Sequence, residues 1–189
     1  MDNLTPTLWK TCRMLSHAGR LACLRMVIQR PGLCVGMLAQ ELDVPENYAS
    51  IMLRALQARG LIRAVRQSRW VYYYPLPDPM VASAAPILQA LSQKLLDEGV
   101  TEKSIIRILT AFTHPRRLSI LCYLRDRRVA TSKAMSPALN ISQQALSRHL
   151  TKLAMRGLIK LEGQFWRFIP STDYLVKTLL TEAAKTHEI

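Results

Sequence analysis

Apolar residues recur at helical spacing along most of the chain. Over residues 142–156, Leu146, Leu150 and Leu153 repeat at intervals of four and three, so one stripe of a helix turns toward a core. Gln143, Gln144, Ser147, Arg148, Thr151 and Lys152 fall on the opposite side, a face with hydrogen-bonding groups and positive charge but no carboxylate. Ser142 can accept from the orphan N–H groups of the first turn, and Gly157 reads as a left-handed cap. Beyond it, residues 158–161 and 165–169 flank Glu162-Gly163 and predict a two-stranded hairpin.

The first half has the same order of elements. The pattern predicts helices over about residues 6–16 and 18–30, the latter stopped by Pro31-Gly32. Helices over about 35–42 and 45–59 follow, with Pro45 in the first turn of the second. Strands on either side of Gln67-Ser68 form a hairpin with Tyr72, Tyr73 and Tyr74 on its return strand, and Pro75, Pro77 and Pro79 give a stiff exit. Helical stripes then run over about 81–98 and 101–112, joined at Gly99, and a last helix spans about 172–185.

The string Ser147-Arg148-His149-Leu150, then Leu153, then Arg156-Gly157-Leu158-Ile159, resembles the recognition helix and wing entry of ArsR-type winged helix-turn-helix transcription regulators. Upstream, His114-Pro115-Arg116-Arg117-Leu118 with Leu121 and Leu124 is similar to that family's core helix, so the resemblance covers about 55 residues. It implies that the helix over 142–156 reads bases in the major groove of duplex DNA and that the wing touches backbone. It also implies that first and last helices pair between subunits.

Shifted by 97 residues, the chain matches itself without gaps from His17–Ile62 onto His114–Ile159, with 13 identities in 46 positions; unrelated segments would give about three, so duplication explains the match better. The expected fold is mainly α with small β-hairpin wings. Two tandem winged helix-turn-helix domains, residues 1–98 and 99–189, form a pseudo-dimer within one chain; a further homodimer stays open.

Charge sharpens this picture. The formal net charge is +13 with a pI near 10.1, which points to a polyanionic partner, nucleic acid first. Residues 1–98 hold 11 Lys+Arg and 7 Asp+Glu, against 15 and 6 in residues 99–189, so the second half should dominate affinity. Lys160, Gln164 and Arg167 in the second wing, and Arg63, Arg66 and Arg69 in the first, are candidate phosphate contacts. His149 stands at the edge of the recognition helix, packed or reaching a phosphate. The first recognition helix offers Asn47, Ser50 and Arg54, but Glu46, Ile51 and Met52 replace polar or basic residues of the second. Because the halves differ, the expected DNA site is non-palindromic.

Other chemistry finds little support in the residues. Cys12, Cys23, Cys34 and Cys122 are scattered, which predicts reduced thiols in a cytoplasmic protein without disulfides. Metal-sensing members of the resembled family carry two cysteines one residue apart, and here Cys34 is followed by Gly36, which breaks the pair; no metal or cofactor is expected. His17 and His114 occupy equivalent positions and could pair across the pseudo-twofold, with helix-start packing the better reading. Alternation along the wing strands is expected to bury about half of Trp70, Tyr72, Tyr73, Tyr74, Phe165, Trp166 and Phe168 against the closing helices and to leave the rest exposed. No apolar run reaches the roughly 20 residues that cross a bilayer, and no catalytic constellation is present, so an enzyme is not expected. The competing reading is an interaction module that docks on proteins, and an effector between the repeats, near residues 81–112, also stays open.

Overall fold

The computed structural model describes residues 7–187. Leu8–Leu15 (α1), Ala18–Gln29 (α2), Val35–Glu41 (α3) and Glu46–Gln57 (α4) lead into a hairpin of Arg63–Gln67 (β1) and Trp70–Tyr74 (β2). Ala84–Leu96 (α5) and Glu102–Leu109 (α6) follow, and a 3-10 turn over Thr110–Phe112 continues α6. The second half holds Pro115–Arg127 (α7), Val129–Thr131 (β3), Ser132–Ala138 (α8), Gln143–Met155 (α9), Ile159–Glu162 (β4), Phe165–Phe168 (β5) and Tyr174–His187 (α10).

At the 97-residue offset, α3 falls on α8 residue for residue, and α2 and α4 coincide with α7 and α9 to within one residue at their ends. The helix stops have local causes. Gly60 and Gly157 take φ of +69° and +77° at equivalent places, a left-handed turn that a residue with a Cβ resists. Thr101 accepts from the Ser104 N–H at the start of α6, and Thr131 from Ala134 at the start of α8. Pro45 is the N-cap of α4, one position earlier than the sequence pattern places it. α5 starts at Ala84, after a turned segment, in place of position 81. The Pro6 start expected for the first helix lies outside the described residues.

In the second wing the expected hairpin forms from β4 and β5, and a strand that the pattern does not predict joins it, so that the sheet runs β3-β5-β4, all antiparallel, with Ala130 opposite Trp166. Arg128 at φ +65° turns the chain out of α7 so that β3 can pair. In the first half the same place holds a single bridge, Leu33 to Tyr73.

The two halves share one hydrophobic cluster. α5 packs on α10, α1 on α6, α10 and the 3-10 turn, and α2 on α5 and α6. Ile87, Leu88, Leu91 and Leu95 of α5 are buried, as are Leu175, Val176, Leu179, Leu180 and Ala183 of α10. Two ion pairs cross the same seam, Arg25–Glu102 at 2.9 Å and Lys94–Asp173 at 2.7 Å.

Leu150, fully buried on α9, fixes that helix on the core. Leu150→Ala should lower stability by about 2–5 kcal/mol, read as a lower midpoint in urea unfolding followed by circular dichroism.

Candidate nucleic-acid interface

α9 is amphipathic in the way its sequence demands. Ala145, Leu146, Leu150 and Leu153 are buried, and the Ser142 hydroxyl accepts from the Ala145 N–H at 3.4 Å. Gln143, Gln144, Ser147, Arg148, Thr151 and Lys152 are all exposed. Thr151 is held on its own helix by a bond to the Ser147 carbonyl at 3.0 Å, and the Gln143 amide donates to the Ser132 carbonyl at 3.3 Å. Arg148 and Lys152 have no ion-pair partner among the described residues. A row of donors and unneutralised cations on a helix of this width can enter a major groove, with Arg and Gln suited to base edges and Ser and Thr to phosphates.

Of the two roles open to His149, packing is the one that the geometry supports. Its half-buried ring lies against His114 with centroids 4.6 Å apart and a tilt of 45°, so it packs inside the helix-turn-helix and does not join the outer face. Burial, then the neighbouring His114, Arg117, Arg116 and Lys152, push its pKa down to about 4. His114 is lowered by burial and by Arg117, Arg116, Arg13 and Lys152. Its Nδ1 accepts from the Arg116 N–H at 3.1 Å and caps α7. The histidine pairing that the repeat suggested, His17 with His114, is thus replaced by a contact between α7 and α9.

The second wing is also altered. Lys160, Gln164 and Arg167 are exposed, but the Glu162 carboxylate takes hydrogen bonds from Lys160 Nζ at 2.6 Å and from Arg167 Nε. The Lys160 bond, aided by Arg167, holds the Glu162 carboxyl below the usual carboxylate range. One acid therefore occupies both cations that sequence reasoning assigned to phosphate. The signal was present: Lys160 and Glu162 are two apart on one strand, and Lys160 faces Arg167 across the hairpin, so all three share a face. Phe165, opposite Glu162, lies on that face too and is 42% exposed.

The first wing has no such acid. Arg63 donates to the Pro77 carbonyl at 3.4 Å, Arg66 to the Ser68 carbonyl at 3.3 Å, and Arg69 stands 5.5 Å from the Trp70 ring centroid. All three are exposed and outside any ion pair among the described residues. Trp70 is 51% exposed; it and Phe165, each toward the tip of its wing, are among the aromatics that alternation leaves outside the core.

On α4, Asn47 and Arg54 are exposed and Ser50 is half-buried. Asn47 Oδ1 is bonded to the Tyr48 N–H at 2.8 Å and Arg54 Nε to the Ser50 carbonyl at 3.4 Å. Ile51, at 55% exposure, stands among them, with Tyr48 and Met37 also exposed. The helices α4 and α9 thus differ in their outer chemistry although their backbones correspond.

Cys12, Cys23 and Cys122 are buried, with burial pushing the Cys23 thiol up to about 12, and Cys34 is half-buried at the start of α3. No group of three or more His, Cys, Asp or Glu side chains able to hold a metal occurs among the described residues. No helix among them is long and apolar enough to cross a membrane.

A family model described as a helix-turn-helix domain matches residues 112–162, from the end of the 3-10 turn through β4. The transcriptional activator HlyU of Vibrio cholerae serotype O1 is 34% identical over 74 residues, which cover 39% of this chain and 68% of HlyU. No solved structure matches.

Burial of the His149 ring, with His114 beside it, sets a pH dependence. In the unfolded chain His149 takes up a proton near its ordinary value of 6.5, whereas in the folded chain it resists to about 4. Stability should therefore be complete above pH 6.5 and decline as pH falls through that window. Thermal melts of His149→Gln should show a shallower decline over the same range than the parent protein.

Proposed function

We propose that this chain, which belongs to the winged helix-turn-helix family of transcription regulators, binds duplex DNA sequence-specifically with α9 in the major groove. The observation that carries the reading is the outer face of α9: six exposed polar or basic residues, no carboxylate, and two cations outside any ion pair among the described residues. Arg148 and Gln144 are assigned to base edges and Ser147, Thr151 and Lys152 to the edges of the groove and its phosphates. Arg63, Arg66 and Arg69 supply backbone contacts from the first wing. Lys160 and Arg167 do so from the second once a phosphate displaces Glu162.

The two halves are read as repeats of one winged unit that pair through α1, α5, α6 and α10 as a pseudo-dimer, which places a cytoplasmic regulator's two DNA-facing units in one polypeptide. The exposed Ile51, Tyr48 and Met37 favour a different task for the first unit: backbone contact through its wing, with α4 turned to a protein partner.

Arg148→Ala should weaken binding to a specific site, recovered by selection from random duplexes, by about 1–3 kcal/mol. Unchanged affinity for the best site would remove the assignment of α9. Glu162→Gln should free Lys160 and Arg167 from an acid that a phosphate must otherwise displace, so that duplex binding gains affinity; unchanged affinity in a gel-shift series would show that the second wing stands clear of DNA.

A further inference from the structure

Two clefts lie at places related by the 97-residue offset. One, of about 460 Å³, is lined by Trp9, Lys10, Arg13, Met14, Arg20 and Arg59. The other, of about 500 Å³, includes Ile106, Arg107, Thr110 and Arg156, which stand at the positions of Trp9, Lys10, Arg13 and Arg59. Each cleft lies between the first helix of its half and the arginine that closes its recognition helix. Each is lined with cations and no acid.

The cations there are held by neutral groups. Arg156 Nε donates to Thr110 Oγ1 at 2.8 Å, Arg107 to the Met155 carbonyl at 3.2 Å and Arg20 to the Met14 carbonyl at 2.9 Å. Behind the second cleft, Arg117 is only 9% exposed, donates to the Thr113 hydroxyl, and leaves its Nε without a partner. The charges of Arg156 and Arg13, after burial, hold its pKa below the usual arginine range. None of these six arginines, Arg13, Arg20, Arg59, Arg107, Arg117 and Arg156, forms an ion pair among the described residues, and the nearby Glu102 is engaged by Arg25 at 2.9 Å. Like charges gathered around a cleft without a counter-charge raise the free energy of the empty state, and a multivalent oxyanion relieves it through paired N–H donors.

We infer that these two clefts are binding sites for a phosphate-type oxyanion, held by Arg156 with Arg107 in one half and by Arg59 with Arg20 and Arg13 in the other. The same chemistry can come from a free phosphorylated small molecule or from the backbone of a duplex. The inference does not depend on the base contacts assigned to α9.

Pyrophosphate is the probe. At ionic strength matched with KCl, millimolar pyrophosphate should raise the melting temperature of the full chain by about 3 °C or more. Equilibrium dialysis should find two bound per chain. Arg59→Gln/Arg156→Gln, checked for native helical content by circular dichroism, should lose the rise; if that variant does not fold, the dialysis stoichiometry of the parent decides. The salt slope of duplex binding then identifies the source: a slope shallower by about two in the double variant assigns the clefts to backbone phosphates, and an unchanged slope assigns them to a free ligand. No rise beyond the KCl control together with no bound pyrophosphate overturns the inference, as does an undiminished rise in the folded double variant.

Discussion

Burial of α5 against α10 is the constraint on which the rest of the molecule depends. Ile87, Leu91 and Leu95 on one helix, and Leu175, Leu179 and Ala183 on the other, are sealed from solvent. Neither helix could keep such a stripe exposed in water without association, since each buried leucine is worth about 1.5–3 kcal/mol. α5 closes the first half and α10 the second, so their contact, with α1 against α6, sets where α4 and α9 stand relative to one another. The ion pairs Arg25–Glu102 and Lys94–Asp173 sit at the edges of this seam and fix its register.

Around that fixed frame the charge is unevenly neutralised. The net charge of +13 says only that a polyanion is attracted; location decides what the attraction can do. On α9 the cations are unpaired and face outward. In the second wing Glu162 offsets two of them, whereas the first wing has three arginines and no acid. The half with the larger formal excess is therefore not the half with the more electropositive wing, and charge counted by halves overstates the contribution of the second wing. Part of that excess is spent away from the outer face of α9, around Arg117 and Arg156.

Much of the architecture could be read from residue order because its causes are local. The leucine stripe of α9, the Ser142 cap and the left-handed glycines at 60 and 157 each act within one or two turns, and the 97-residue offset carried the first half along with the second. Strand β3 was not legible: three residues after Arg128 carry no alternation, and they become a strand only because β5 offers an edge. The His114–His149 contact was hidden for a similar reason, since it joins positions 35 residues apart that meet only when α7 and α9 pack. Glu162 was accessible in principle through cross-strand alternation, but residues considered singly as phosphate contacts conceal the acid between them.

The link between α5 and α6 is only a few residues around Gly99. Where separate subunits must meet before they can act, the active fraction falls on dilution and occupancy rises with more than the first power of concentration. Here the apolar faces of α1, α5, α6 and α10 find one another inside a single polypeptide, at an effective concentration set by that short tether. Their contact therefore does not weaken on dilution.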